Sequence, residues 1–211
     1  MERDNVTWWM WIVNIVGLAA LTYVFYNFEK KWTSKAVLLA PITIYVLISV
    51  EDLLEWIDLM SIVPGKGGMR ALILIFCLIS VIFYILYIFN KIAESAINKN
   101  VQLMKLVSRI SMAALTCILF FMIIYTSIYK LFGETAFEGK NIGSDLLSQL
   151  ISFLYFSVAT FVTVGYGDIS AVDNTSRLAV IMEIAFSFIT VGYALSMLSM
   201  FRKIFKPGPD E

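Results

Sequence analysis

The run Thr163-Val164-Gly165-Tyr166-Gly167-Asp168 places two glycines two residues apart between two apolar stretches. Glycine reaches backbone angles closed to other residues, so such a strand can turn its carbonyl oxygens to one side. Other chemistries are poorly served. The sequence holds 0 His, which excludes triads that need one. Its 2 cysteines, Cys77 and Cys117, both lie inside apolar segments, so neither a spaced zinc cluster nor a disulfide framework is visible. Nothing assembles an acid, a base and a nucleophile, so no enzyme activity and no cofactor are expected.

The elements that must position this run are set by composition. Of 211 residues, 60% are hydrophobic and only 15% charged, far from the make-up of a water-soluble domain. The apolar residues come in blocks of about twenty, the length that crosses a bilayer. The 16 basic and 16 acidic residues cancel, which removes the uniformly basic surface a nucleic-acid partner would require.

The first block runs from about Val6 to Tyr26, with Trp8, Trp9 and Trp11 at one end and Tyr23 and Tyr26 at the other, as two membrane interfaces require. Its leader is not basic and no small-residue cleavage pattern follows, so it reads as a retained helix rather than a signal peptide. The second block starts at Ala36. Either it ends near Val50 with an interfacial helix after it, or it continues to Val63 as one tilted helix carrying Glu51, Asp52, Glu55 and Asp58 toward protein or water. The third covers Met69 to Phe89. Residues 90–105 then repeat apolar positions at near-helical spacing and predict an interfacial amphipathic helix.

A fourth block, Leu106 to Phe132, leads into a charged, glycine-containing loop from Gly133 to Ser144. Ser144 and Asp145 are cap candidates for the shorter run Leu146 to Val162. The last block, Arg177 to about Phe201, spans ~37 Å at helical rise. The resulting division is a three-helix region (1–90), a linker (91–105), the segment 106–201 and a basic tail (202–211). With the N-terminus outside, the cytoplasmic segments hold ten Lys/Arg against four acids and the external ones six against eleven. The asymmetry favours an outside N-terminus and a cytoplasmic C-terminus.

The stretch from Tyr155 to Asp168, preceded by an apolar helix and a charged loop and followed by a final helix, resembles the pore helix and selectivity filter of tetrameric potassium channels. The resemblance covers about Leu106 to Phe201. It implies an all-α membrane protein of five transmembrane helices plus a re-entrant pore helix and filter loop, assembled as a homotetramer in the plasma membrane. It implies potassium bound by Thr163, Val164, Gly165, Tyr166 and Gly167, with Thr163 adding a hydroxyl at the inner end. Val164 and Tyr166 would turn away from the ion path, and Asp168 would form a cation-attracting ring at the outer mouth. Two other functions remain open beside a passive potassium pore: a potassium transporter subunit, or a non-conducting subunit of another channel.

The chain departs from that family at several places. Val162 stands where many members have a second threonine, Ala159 where some have a glutamate, and Ser170 where an aromatic binds external blockers. Ser187 takes the place of a hinge glycine, with Gly192 five residues on, so hinge placement is open. Glu183 lies inside the final apolar helix, where an ionisable group is costly. It could hydrogen-bond the back of the pore helix, face a cation, or sit protonated at a helix contact. Closure is expected where the final helices converge, near Ser196 to Met200.

No segment carries Arg or Lys at every third position, so strong voltage sensing is not expected. Glu51, Glu55 and Asp58 share a helix face and could hold a divalent cation or pair with basic residues, although a solvated face is the plainer reading. Lys91, Lys99 and Lys105 could meet anionic lipid or serve as ordinary anchors.

Overall fold

The computed structural model describes residues 40–54, 56, 63, 65–97 and 103–204. The first apolar block, Glu55, Asp58, Lys99 and the tail beyond Ile204 lie outside the described residues. Among the described residues there are five α-helices: α1 (Ala40–Leu53), α2 (Lys66–Ile97), α3 (Leu103–Phe132), α4 (Leu146–Phe161) and α5 (Asn174–Ile204). Two three-residue strands, β1 (Phe137–Gly139) and β2 (Ile169–Ala171), complete the fold.

Segments of α2, α3 and α5 are long and apolar enough to cross a membrane: Lys66–Phe89, Ile110–Thr135 and Asn174–Ser196. With 16 residues α4 reaches only ~24 Å, short of the ~30 Å hydrocarbon core, so it is too short to cross a bilayer. The chain is an all-α integral membrane protein.

Helix α2 shows how the sequence divides its faces. Met69, Ile73, Cys77, Val81, Tyr84 and Ile88 recur every three to four residues and are buried against the other helices. Ile75, Leu78, Ile82, Leu86 and Phe89 are equally apolar yet exposed on the opposite face. A helix that is apolar all round presents its outer side to lipid or to other membrane helices. Helix α3 lies at the centre, touching α1, α4 and α5, while α2 packs between α1 and α5. The core around Phe120, Phe121, Tyr125, Phe153 and Phe186 is largely aromatic, with Phe121 and Phe186 edge to face at 5.9 Å.

Several expectations are corrected. The second block resolves in favour of an early stop, because α1 ends at Leu53 and Trp56 lies in a bend. There Lys130 of α3 donates to the carbonyls of Asp52 and Leu53, the latter at 3.1 Å. A cation thus satisfies the orphan acceptors of the helix end. Residues 90–97, expected in an interfacial helix of their own, continue α2 to Ile97 because they contain no Gly or Pro to break the turn, and residues 103–105 open α3. The loop 133–144 holds a 3₁₀ turn (Gly133–Thr135) and β1, which pairs antiparallel with β2 in the register Phe137↔Ala171 and Gly139↔Ile169.

These contacts also fix which ends lie together. The end of α1, the start of α2, the end of α3 and the start of α5 share one side with the β1–β2 pair. Lys130 joins the first and third, and Arg70 pairs with Asp173 at 2.7 Å across the other two.

Candidate functional site: the filter segment and its supports

Helix α4 is started by Asp145, whose carboxylate accepts from the Ser148 backbone N–H at 3.1 Å and from the Ser148 hydroxyl at 2.6 Å. These bonds hold the Asp145 carboxyl below the usual carboxylate range. Of the two cap candidates, Asp145 therefore serves and Ser144 does not. At the other end the helix tightens rather than fraying. Thr163 N–H donates to Thr160 O at 3.0 Å, and Ala159 O accepts from both Val164 N–H (2.9 Å) and Gly165 N–H (3.3 Å). The segment that follows is thus tied by its own backbone to the last turn of α4.

From there the backbone alternates. Thr163, Gly165 and Gly167 have φ of 58°, 56° and 78°, whereas Val164 and Tyr166 keep ordinary negative values. Alternating the sign of φ turns each successive peptide plane by about half a turn relative to a normal strand. Neighbouring carbonyls then lie on one side instead of two. Glycine adopts such angles freely, but Thr163 does so at a cost of about 1–2 kcal/mol. That strain is not legible in the amino acids, because threonine is a poor choice for the left-handed region. Thr163 through Asp168 are all exposed in a single copy.

Beyond Asp168 the chain is captured by β2. Val172 N–H and the Ser176 hydroxyl both donate to Ala136 O, at 2.9 and 2.7 Å, and Asp173 caps α5 through Ser176 N–H at 2.8 Å. The same Asp173 accepts the ion pair from Arg70, whose guanidinium lies 4.6 Å from the Phe132 ring centre. Tyr155 of α4 stacks on Tyr166 with ring centres 5.9 Å apart and planes at 9°. A pocket of 770 Å³ beside the end of this segment is lined by Glu134, Glu138, Lys140, Tyr166, Gly167 and Asp168.

The residues of the final helix separate by environment. Ser187 is buried and donates to Phe161 O at 2.8 Å, satisfying a carbonyl at the end of α4. Gly192 and Ser196 are exposed, with the Ser196 hydroxyl bonded back to Gly192 O at 2.8 Å. Helix α5 runs unbroken past both Ser187 and Gly192 and includes Met200, whose side chain lies outside the described residues. Glu183 is fully buried; its Oε2 accepts from the Tyr125 hydroxyl and its Oε1 lies against the Ser157 hydroxyl, each at 2.5 Å. Two of its expected settings coincide: Glu183 contacts the back of α4 and is buried where three helices meet.

Glu51 is half-buried and Asp52 buried at the end of α1. The face that Glu51 was expected to share with Glu55 and Asp58 falls partly outside the described residues. Among those described, no group of His, Cys, Asp and Glu has the geometry to hold a metal ion. Sequence reasoning missed Tyr125, Ser157, Arg70 and Asp173. Each is an ordinary residue type whose role depends on partners 26 or more positions away.

Comparison with known proteins agrees with this geometry. Residues 113–203 match a family described as ion channel. A stretch of 55 residues is 34% identical to a protein of Oryza sativa subsp. japonica named potassium channel KOR2. That stretch is 26% of this chain and 8% of the rice protein, so this chain corresponds to a small part of that relative. No solved structure gives a significant match. The exposed segment with its alternating backbone, the short helix that anchors it and the helix that follows it all lie within the stretch similar to the ion-channel family, and the chain is an integral membrane protein.

Proposed function

We propose that four copies of this chain assemble around an axis lined by residues 163–167 and form a passive, potassium-selective pore in the plasma membrane. The observation that carries this reading is the alternation of φ at Thr163, Gly165 and Gly167 in a strand tied at both ends. One copy supplies one wall of carbonyls, and a cage around a dehydrated ion needs four. The oxygens of Thr163, Val164, Gly165 and Tyr166 would replace the hydration shell. Asp168, repeated four times, would concentrate cations at the outer mouth.

Exposure in the single chain supports the assembly. Val164 is 51% and Tyr166 69% exposed, although both are large and apolar in character. Neighbouring copies would cover them and supply the protein surround that irregular backbone needs at membrane depth. The carboxyl end of α4 leads directly into residue 163, so its partial negative charge would favour a cation in the cavity below.

The described helices carry their Lys and Arg toward the ends and none at every third position, which supports a pore without strong voltage sensing. Potassium is the permeant ion, no cofactor takes part, and closure occurs where the α5 helices converge between Ser196 and Met200. The N-terminus lies outside and the C-terminus in the cytoplasm. The test is the reversal potential of the purified full chain in planar bilayers with potassium on one side and sodium on the other. A reversal near the potassium equilibrium value is expected; a reversal near zero would overturn selectivity.

A further inference from the structure

The buried carboxyl of Glu183 has a function that the filter itself does not require. Three helices meet at it: Tyr125 comes from α3, Ser157 from α4 and Glu183 from α5. Ser157 also lies 3.1 Å from Ile118 O on α3. Three oxygen–oxygen contacts are therefore made, Tyr125 to Glu183, Glu183 to Ser157 and Ser157 to Ile118. Each needs one proton. The two hydroxyls supply two, and a carbonyl oxygen has none to give.

The third proton can come only from the carboxyl. With it, the donors run in one direction: Tyr125 O–H to Oε2, the Oε1 proton to Ser157 Oγ, and Ser157 O–H to Ile118 O. Without it, Ser157 must choose between Glu183 and Ile118, and one of the helix-to-helix links is lost. The surroundings agree. The other titratable groups near Glu183 are Tyr125 and the thiols of Cys77 and Cys117, none of which brings a positive charge. Among the described residues no Lys or Arg pairs with it, and a buried, unpaired carboxylate is among the costliest groups a membrane protein can hold.

The position of this cluster gives it a consequence for the filter. Glu183 and Ser187 are one turn apart on α5, and their partners Ser157 and Phe161 are one turn apart on α4. Between those partners lies Ala159, whose carbonyl holds the N–H groups of Val164 and Gly165. A shift of α4 along α5 would break both bonds and move the anchor of the filter strand.

We propose that Glu183 is a positioning residue for the filter, acting as a neutral acid whose proton is donated to Ser157 and so locks α4 between α3 and α5. This rests on the reading of residues 163–167 as the filter, but the proton itself can be tested apart from that reading. In the full chain reconstituted in lipid, infrared spectroscopy should show the carbonyl stretch of a protonated carboxylic acid that vanishes in Glu183→Gln. In Ser157→Ala the band should persist and move to higher frequency, because its acceptor is gone.

In bilayer recordings Glu183→Ala should lower the potassium-over-sodium permeability ratio or the open probability about tenfold, the effect of one lost buried hydrogen bond. Glu183→Gln should restore it, since the amide N–H donates where the acid proton did and its carbonyl still accepts from Tyr125. Absence of the acid band in the native protein would overturn the proposal. So would a Glu183→Gln channel as impaired as Glu183→Ala, which would show that a charged carboxylate is needed. Native selectivity and open probability in Glu183→Ala would reduce the cluster to a packing contact. Should Glu183→Ala fail to assemble, Ser157→Ala gives the same functional readout. A native channel that conducts without selectivity would instead defeat the filter reading while leaving the infrared result standing.

Discussion

Thr163 and Gly165 adopt nearly the same backbone angle for different reasons, and the difference is testable. Glycine at φ 56° costs nothing in side-chain clash, whereas a Cβ there costs about 1–2 kcal/mol, which Thr163 already bears one repeat earlier. Gly165→Ala should therefore lower the potassium-over-sodium permeability ratio by roughly tenfold or more without loss of the assembled protein, measured by reversal potential. Asp145 offers a second test. Its carboxyl is held low by the Ser148 bonds, so its stabilisation is present above the unfolded value and lost as pH falls through the lower folded one. Asp145→Ala should lower the thermal midpoint at neutral pH, and the gap from the native protein should close in strong acid, as followed by thermal scans across that range.

Among the elements, the short ones hold residues 163–168 in place. Helix α4 ends just before this segment and β2 begins just after it, while Ser187 of α5 bonds the Phe161 carbonyl at the end of α4. Arg70 extends that bracing to α2, through its pair with Asp173 and its stacking on Phe132. Because Arg70 is 32% and Asp173 12% exposed, the pair is partly screened and should contribute about 1 kcal/mol. A double-mutant cycle of Arg70→Ala and Asp173→Asn, read from thermal unfolding in detergent, should give a coupling energy of that order. Lys130→Met removes the cation from the end of α1 while keeping its apolar stem. It should destabilise the contact between α1 and α3 by about 1 kcal/mol, visible as faster amide exchange near Leu53.

At the scale of the whole molecule, large apolar side chains of α4 and α5 are exposed among the described residues, with Leu147 at 66% and Phe188 at 65%, and residues 163–168 are exposed beside them. The proposed tetramer should have a protein mass four times the 23.9 kDa of the chain by light scattering in detergent. A monomer or dimer that conducts nothing would remove the pore reading.

Much of this architecture is legible in the amino acids. Blocks of apolar residues fix which segments enter a membrane, because burial of an unpaired backbone in lipid permits little but helix. The spacing of Gly165 and Gly167 marks the strand where the backbone departs from helix. A run too short to cross, with Asp145 before it, marks α4. What the sequence leaves open depends on partners distant along the chain. The end of α1 at Leu53 is met by Lys130 of α3, and the β1–β2 pair forms from two ordinary three-residue stretches that meet on either side of residues 140–168. Glu183 shows the division most plainly. Its cost in an apolar helix is evident from its charge alone, but which oxygens meet it, and so which proton it must carry, is decided only by three helices packed together.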